Sequence, residues 1–327
     1  MTDVSIVIRT RNEGRSLEKV LRIISNQDTE LDYEIILVDS YSTDNTKYLA
    51  KKYDCKIINL SPLEFSWGRA LNIGIENSNS EFCILLSAHC YPANDKWMTH
   101  LVKPLIEDEK VAASYGGQLP IRGYDPFEEL ELKMWFPTNS RKRIGISNSN
   151  ACIRKEVWKK FKFNESLSSY EDGEWAMRVR NAGYELRYVP EAAVYHSHKL
   201  NFENVYRRWY WRARMGVNVS RNKEKIKIAA KFPSPLLLAL SISVVSYFIW
   251  LIKDMIYCMK NKYFNYICLA PFYEFIRKYA FFLGAYHGLK DIRNGNIHNS
   301  YTYHRKVNLP DFMIYVINLS NRICKSL

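Results

Sequence analysis

Seven cysteines, an odd number with no Cys-x-x-Cys pair among them, argue against a disulfide framework and against a cysteine-built zinc cluster. No Gly-x-Gly-x-x-Gly follows the first apolar run, Val4–Arg9, so the turn that holds a dinucleotide pyrophosphate is excluded. A glycine-rich, lysine-bearing loop, which nucleotidyl transfer from a triphosphate usually wants, is missing as well. There is no internal repeat and no low-complexity tract. Met1-Thr2-Asp3 leads straight into the first apolar run, which leaves no room for a signal peptide and predicts that the bulk of the protein is cytosolic.

What is present in excess is positive charge. The 327 residues carry 47 Lys and Arg against 34 Asp and Glu, a net +13, which points to anionic partners: phosphates, membrane lipid or nucleic acid. From Lys199 to Lys231 there are ten Lys/Arg against two Glu, directly before Phe232–Ile252, 21 residues without a charge. That run is long enough to span a bilayer. From Lys253 onward, however, eleven Lys/Arg face four acidic residues, and basic flanks on both sides disfavour a single span. Tyr263–Tyr273 and Phe275–Leu289 resemble aromatic-rich interfacial helices lying on anionic lipid. The expectation is peripheral or re-entrant attachment at the cytoplasmic face of a membrane, with a true span or a soluble helical appendage as the other readings. The basic charges precede apolar stretches instead of forming a repeated basic-aromatic groove, so nucleic acid is not expected as a partner.

The first half alternates strands and helices. Val4–Arg9, Glu34–Asp39, Cys55–Asn59, Phe82–Ser87 and Val111–Gly116 read as strands. A helix carrying Leu17, Leu21 and Ile24, then Asn45–Tyr53, Trp67–Glu76 and Asp95–Glu107, read as helices. Continuous apolar strands between amphipathic helices predict an α/β fold with a mostly parallel sheet covered on both faces. Further on, Ser147–Ile153, Glu185–Val189 and Ala193–His196 read as strands, and Lys155–Phe161, Glu171–Ala182 and Asn201–Arg221 as helices.

In such folds ligands bind beyond the carboxyl ends of the parallel strands. Three of these ends carry polar groups: Arg9-Thr10-Arg11-Asn12-Glu13, Val38 through Thr46, and Ser87-Ala88-His89. Asp44 is placed either to cap the helix behind it or to bind a ligand. Asp39 ends a buried strand, where an isolated carboxylate needs a partner such as a base or ribose hydroxyl. His89 either caps its strand or contributes a ligand.

The run Val4 to Glu13, with Ile36-Leu37-Val38-Asp39-Ser40 and Ser42-Thr43-Asp44-Asn45-Thr46, resembles the opening of family 2 GT-A glycosyltransferases. Gly68-Arg69-Ala70-Leu71-Asn72 resembles the family's Gly-Arg-Ala-x-Asn helix start, which faces the donor. Asn148–Arg154 resembles the start of its acceptor half, and Glu171-Asp172 falls where the family carries its Glu-Asp motif. The resemblance covers about residues 4–215.

It implies inverting transfer of a sugar from a nucleotide diphosphate donor to a hydroxyl, with Asp172 as general base and Glu171 positioning the site or acceptor. Acidic first-turn residues favoured by the helix dipole are the plainer reading of that pair. The donor would be held by Thr10, Arg11, Asn12, Glu13, Asp39, Ser42, Asp44, Arg69, Asn72, Ser87, Ala88 and His89. Relatives present Asp-x-Asp after the fourth strand, where this chain has Ser87-Ala88-His89. A divalent cation, Mn²⁺ or Mg²⁺, would then fall to His89 with His196, preferred over His198 because it directly ends an apolar run. Metal-free neutralisation of the diphosphate by Arg69, Arg207 or Arg208 is the alternative.

The expected organisation is a GT-A domain over 1–220, with a nucleotide-sugar half at about 1–115 and an acceptor half at about 116–220, and a membrane-associating helical region over 221–327. The acceptor is expected to be a saccharide or lipid-linked saccharide in surface polysaccharide or glycolipid synthesis. A degenerate nucleotide-sugar-binding homologue and a nucleotidyltransferase are the alternatives.

Overall fold

A computed structural model describes residues 2–140, 145–167, 169–219, 235–294 and 309–326. The chain divides into two compact units. The first comprises 1–121, 132–167 and 171–196, and the second 122–131, 168–170 and 197–327.

The first unit is built on an eight-stranded sheet. In chain order the strands are β1 (Val4–Thr10), β2 (Tyr33–Asp39), β3 (Lys56–Asn59), β4 (Phe82–Ser87), β5 (Tyr91–Pro92), β6 (Val111–Leu119), β7 (Asn150–Arg154) and β8 (Glu185–Tyr195). They lie in the order β3-β2-β1-β4-β7-β6-β8-β5. The first four in that order run parallel, as their unbroken apolar runs require. All seven residues of β1 and all six of β4 are buried. β7 enters antiparallel to both β4 and β6, whereas β6 and β8 are parallel. The two short strands expected over 185–196 are one strand, whose register against β6 slips between Gly116 and Gln118. That irregularity takes up Pro190, which has no N–H to give to a ladder.

Helices α1 (Gly14–Ile24), α2 (Thr46–Lys52), α3 (Trp67–Glu76) and α4 (Trp97–Glu107) follow the strands of the nucleotide half. Val4, Ile6, Ile8, Leu17, Leu21 and Ile84 pack in one core, and Val7, Leu71, Ile75, Leu85 and Trp175 in another. Cores on both faces of the sheet are what a parallel βα succession produces. α5 (Pro126–Trp135), α6 (Lys155–Lys160) and α7 (Glu171–Asn181) follow, and α5 was not expected from the sequence.

The second unit is helical, with α8 (Phe202–Val219), α9 (Pro235–Lys260), a 3₁₀ segment (Phe264–Leu269), α10 (Ala270–Arg293) and α11 (Asp311–Ser326). α8 and α10 touch backbone to backbone: a Cβ on Gly284 would lie 2.2 Å from the Tyr210 carbonyl oxygen, and one on Gly288 2.7 Å from that of Arg214. Arg277 is the hub of this unit. It is 1 % exposed, pairs with Glu131 at 2.5 Å and Glu274 at 2.6 Å, and lies 4.3 Å from the centre of the Trp250 ring. The charges that interrupt the expected interfacial helix 275–289 are therefore buried partners. Among the described residues no helix is long and apolar enough to cross a membrane. The expected 232–252 run and the basic stretch before it lie partly outside the described residues.

Candidate active site

Thr10 is in register with Asp39, and Arg9 with Ser87. β1, β2 and β4 therefore end at one level, and the segments after them open together on the carboxyl edge of the sheet. Thr10, Ser87 and Ala88 are buried there, and Arg11 is exposed.

The first two segments are tied to each other. Asn12 adopts φ +54°, a left-handed conformation that asparagine tolerates better than most residues. Its N–H donates to Ser42 Oγ at 2.8 Å, and its Oδ1 accepts from the Thr43 N–H at 2.7 Å. Asp44 Oδ2 accepts from the Gly14 N–H at 3.0 Å, and Oδ1 accepts from the Thr46 N–H at 3.0 Å. One carboxylate thus serves the first N–H of both α1 and α2. Burial works against its charge, but the bonds from Thr46 and Gly14 win and hold its pKa below the usual value.

Asp39 is fully buried. Its Oδ2 accepts from the Ser42 N–H at 3.0 Å and lies 3.3 Å from Lys47 Nζ. Its Oδ1 has no hydrogen-bond partner. An orphaned buried acceptor costs about 1–3 kcal/mol, so this atom is suited to a donor supplied from outside the chain.

The start of α3 is turned to the protein. Ser66 caps it by accepting from the Arg69 N–H. The Arg69 guanidinium pairs with Glu165 at 3.2 Å. Asn72 donates to the Phe163 carbonyl and Glu165 Oε1, both at 2.9 Å, and accepts from Trp158 Nε1 at 2.9 Å and the Phe163 N–H at 3.0 Å. Those four bonds are all that an amide side chain can make. With them Asn72 pins residues 163–165 to α3.

His89 and His196 meet although 107 positions apart, with Nε2 atoms separated by 3.2 Å. His89 Nδ1 lies 2.6 Å from Glu13 Oε1, and His196 Nδ1 lies 2.9 Å from Gln118 Oε1. The Glu13 carboxylate places the His89 proton on Nδ1. Gln118, whose Nε2 donates to Ser147 Oγ at 2.8 Å and so turns Oε1 to the ring, does the same for His196. The two Nε2 atoms therefore face one another as acceptors. Two lone pairs repel unless a proton or a cation lies between them. Nitrogens sharing one ion through bonds of about 2.1 Å are roughly 3 Å apart, so the pair fits a metal. His198, in the second unit, faces Glu128, which accepts from its backbone N–H at 2.7 Å and lies 2.9 Å from its Nδ1.

Glu171 and Asp172 open α7. Glu171 is 5 % exposed and accepts from Asn148 Nδ2 at 2.5 Å. Burial, with Asp172 adjacent, pushes its carboxyl up to about 7 in spite of the nearby Arg9. Asp172 is half-buried and accepts from the Gly173 N–H at 2.7 Å and the Asn148 N–H at 3.4 Å. The sequence reading placed Arg9 at the end of the first strand and Asn148 at the start of the acceptor half without linking them, although they are bonded at 2.8 Å, and it missed Gln118 as the partner of His196.

A parallel nucleotide half, a reversed β7 and polar strand ends on one edge define the GT-A class of glycosyltransferase. A mannosyltransferase from Pyrobaculum calidifontis, solved with GDP-Man and Mn²⁺, superposes with a TM-score of 0.56 over 90 % of each chain at 15 % identity. Residues 5–154 match the model of glycosyl transferase family 2, and 127–281 that of glycosyl transferase family group 2. Together the two matches span residues 5–281 and support a family 2 glycosyltransferase. The chain is 29 % identical over 224 residues to the O-antigen chain rhamnosyltransferase WbaN of Salmonella anatum, covering 64 % of this chain and 71 % of that one. A dolichyl N-acetyl-alpha-D-glucosaminyl phosphate glucuronosyltransferase of Methanococcus voltae is 39 % identical over 101 residues, 29 % of this chain and 32 % of that one.

Proposed function

We propose that this enzyme transfers a sugar, with inversion, from a nucleoside diphosphate donor to a hydroxyl of a lipid-linked saccharide in surface-glycan synthesis. The observation that carries the chemistry is the Glu171–Asp172 pair at the start of α7, one carboxylate enclosed and one reachable. Asp172, held by two backbone N–H groups, takes the proton of the acceptor hydroxyl as that oxygen attacks the anomeric carbon. The orphaned Asp39 Oδ1 receives a hydrogen bond from the nucleoside. The acceptor class is supported by two relatives, one acting on O-antigen chains and the other on a dolichyl-linked sugar phosphate.

His89 and His196 would hold a divalent cation, their Nε2 lone pairs converging with both Nδ1 atoms already engaged. Such an ion supplies Lewis-acid neutralisation of the departing diphosphate. Two imidazoles favour Mn²⁺ over the oxygen-preferring Mg²⁺.

Attachment to the cytoplasmic face of a membrane belongs to the same proposal. Val245, Phe248, Ile249, Ile252, Ile256 and Met259 are exposed on α9 at helical spacing, an apolar stripe preceded in sequence by the basic run ending at Lys231. That combination suits anionic lipid.

The test is nucleoside diphosphate release from a panel of UDP-, GDP- and dTDP-sugars with a lipid-linked saccharide acceptor. Asp172→Asn is expected to lower turnover by about 10²–10⁴-fold and to leave donor binding intact. Full turnover by that variant removes Asp172 as the base, and full turnover in excess EDTA removes the metal.

A further inference from the structure

We propose that Arg9 and Asn148 are the positioning pair of the two α7 carboxylates: Asn148 fixes both to the end of β1, and Arg9 sets the charge state of Glu171. The inference rests on the assignment of Asp172 as the base.

Asn148 is buried and bonded on every side. Its Oδ1 accepts from Arg9 Nη2 at 2.8 Å, its Nδ2 donates to Glu171 Oε1 at 2.5 Å, and its backbone N–H donates to Asp172 Oδ2 at 3.4 Å. One residue thus joins the first strand of the nucleotide half to both carboxylates.

Arg9 lies 5.0 Å from the centre of the Trp67 ring, and its Nη1 is 4.0 Å from Glu171 Oε1. Its Nε and Nη1 are enclosed and have no hydrogen-bond partner. Its charge acts on buried neighbours, where the low dielectric strengthens the interaction. The charged groups facing Glu171 are Asp172 and Arg9. Those facing Arg9 are Glu171, Asp172, Glu13 and the Cys90 thiol.

Adjacent carboxylates resist a second negative charge. A cation fixed beside Glu171 relieves that repulsion and leaves Asp172 free to take the acceptor proton. An arginine with unused donors is an unfavourable thing to bury, and a local violation of this kind is expected where function demands it.

The experiment uses the full-length enzyme. Calorimetry measures binding of UDP, GDP or dTDP, whichever the wild type binds most tightly, and steady-state kinetics measure kcat against pH. Arg9→Met is expected to bind the nucleotide within about threefold of wild type, to lose about 30-fold or more in kcat, and to move the acid limb of the profile to higher pH. Arg9→Lys restores the limb and part of kcat. Asn148→Ala loses kcat with the donor KM unchanged.

A merely structural role would lower thermal stability and leave the pH profile where it was. The proposal is overturned if folded Arg9→Met and Asn148→Ala both turn over within about threefold of wild type, if the loss appears as weaker nucleotide binding, or if the acid limb stays in place. Should Arg9→Met not fold, Asn148→Ala decides alone, since it leaves Arg9 packed on Trp67. A wild-type protein that binds none of the three nucleotides overturns the functional reading and this inference together. Nucleotide binding with unaffected variants overturns this inference only.

Discussion

Glu13→Gln changes one atom type and almost no volume, yet it acts on the histidine pair through the hydrogen bond behind it. His89 Nδ1 lies 2.6 Å from Glu13 Oε1, with the two side chains 31 % and 27 % exposed. A carboxylate only accepts, so it holds the imidazole proton on Nδ1 and frees Nε2 for a metal. An amide can turn its NH₂ toward Nδ1 instead, which favours the tautomer with Nε2 protonated. Loss of such an outer partner typically costs about 10–100-fold in metal affinity, equivalent to about 1.4–2.7 kcal/mol. Because the pair is partly open to solvent, screening puts the expected loss at the low end, about tenfold. Electron paramagnetic resonance of free Mn²⁺, titrated with and without nucleoside diphosphate, measures it directly. His89→Ala, which removes a whole ligand, is the reference and is expected to weaken binding further. If Glu13→Gln binds Mn²⁺ within about twofold of wild type and His89→Ala does not, the carboxylate does not set the tautomer. If all three bind alike, His89 holds no metal.

Asn72→Ala breaks four buried hydrogen bonds and is expected to lower unfolding free energy by about 2–4 kcal/mol in urea titrations, with the nucleotide Kd retained by the protein that remains folded. Arg277→Met removes the guanidinium from buried Glu131 and leaves Glu274 only the longer pair with Lys278 at 3.8 Å, at an expected cost of about 3–5 kcal/mol in the same measurement. Glu171 also makes stability depend on pH. Its folded pKa, about 7, lies above the ordinary 4.5, so the contribution is complete below about 4.5 and is lost as pH rises through about 7. Glu171→Gln is expected to flatten that part of a plot of urea midpoint against pH. A residual slope is expected from Asp125, whose carboxyl burial also pushes up to about 7.

The nucleotide half is legible in the sequence because short apolar runs such as Ile6–Ile8 and Cys83–Leu86, alternating with amphipathic helices, read as strands covered on both faces. Glu171 and Asp172 are legible because a helix start favours carboxylates and motif order fixes which helix it is. The bonds that Asn72 makes within the protein were not legible, because a motif gives position and says nothing of whether a side chain has bonds to spare. α5 escaped notice for a related reason. Its Glu128, Glu129 and Glu131 break the apolar pattern locally, yet each is buried against a partner far along the chain, among them Tyr263 and Arg277. The single strand over 185–195 was read as two because Pro190 marks a break in any local pattern, and only pairing with β6 carries the strand past it. The meeting of His89 and His196 was anticipated from motif order. Glu13 and Gln118 behind them were not, since nothing local ties an outer partner to its ligand.

The bonds joining Asn12 to Ser42 and Thr43, and Asp44 to Gly14, have a consequence for protein engineering. The segments after β1 and β2 behave as a single fitted part, cut from two distant stretches of chain. Moving one of them from a relative without the other would leave half of each joint behind. Exchanges meant to alter the nucleoside are therefore expected to succeed only when residues 11–14 and 40–46 travel as a matched set.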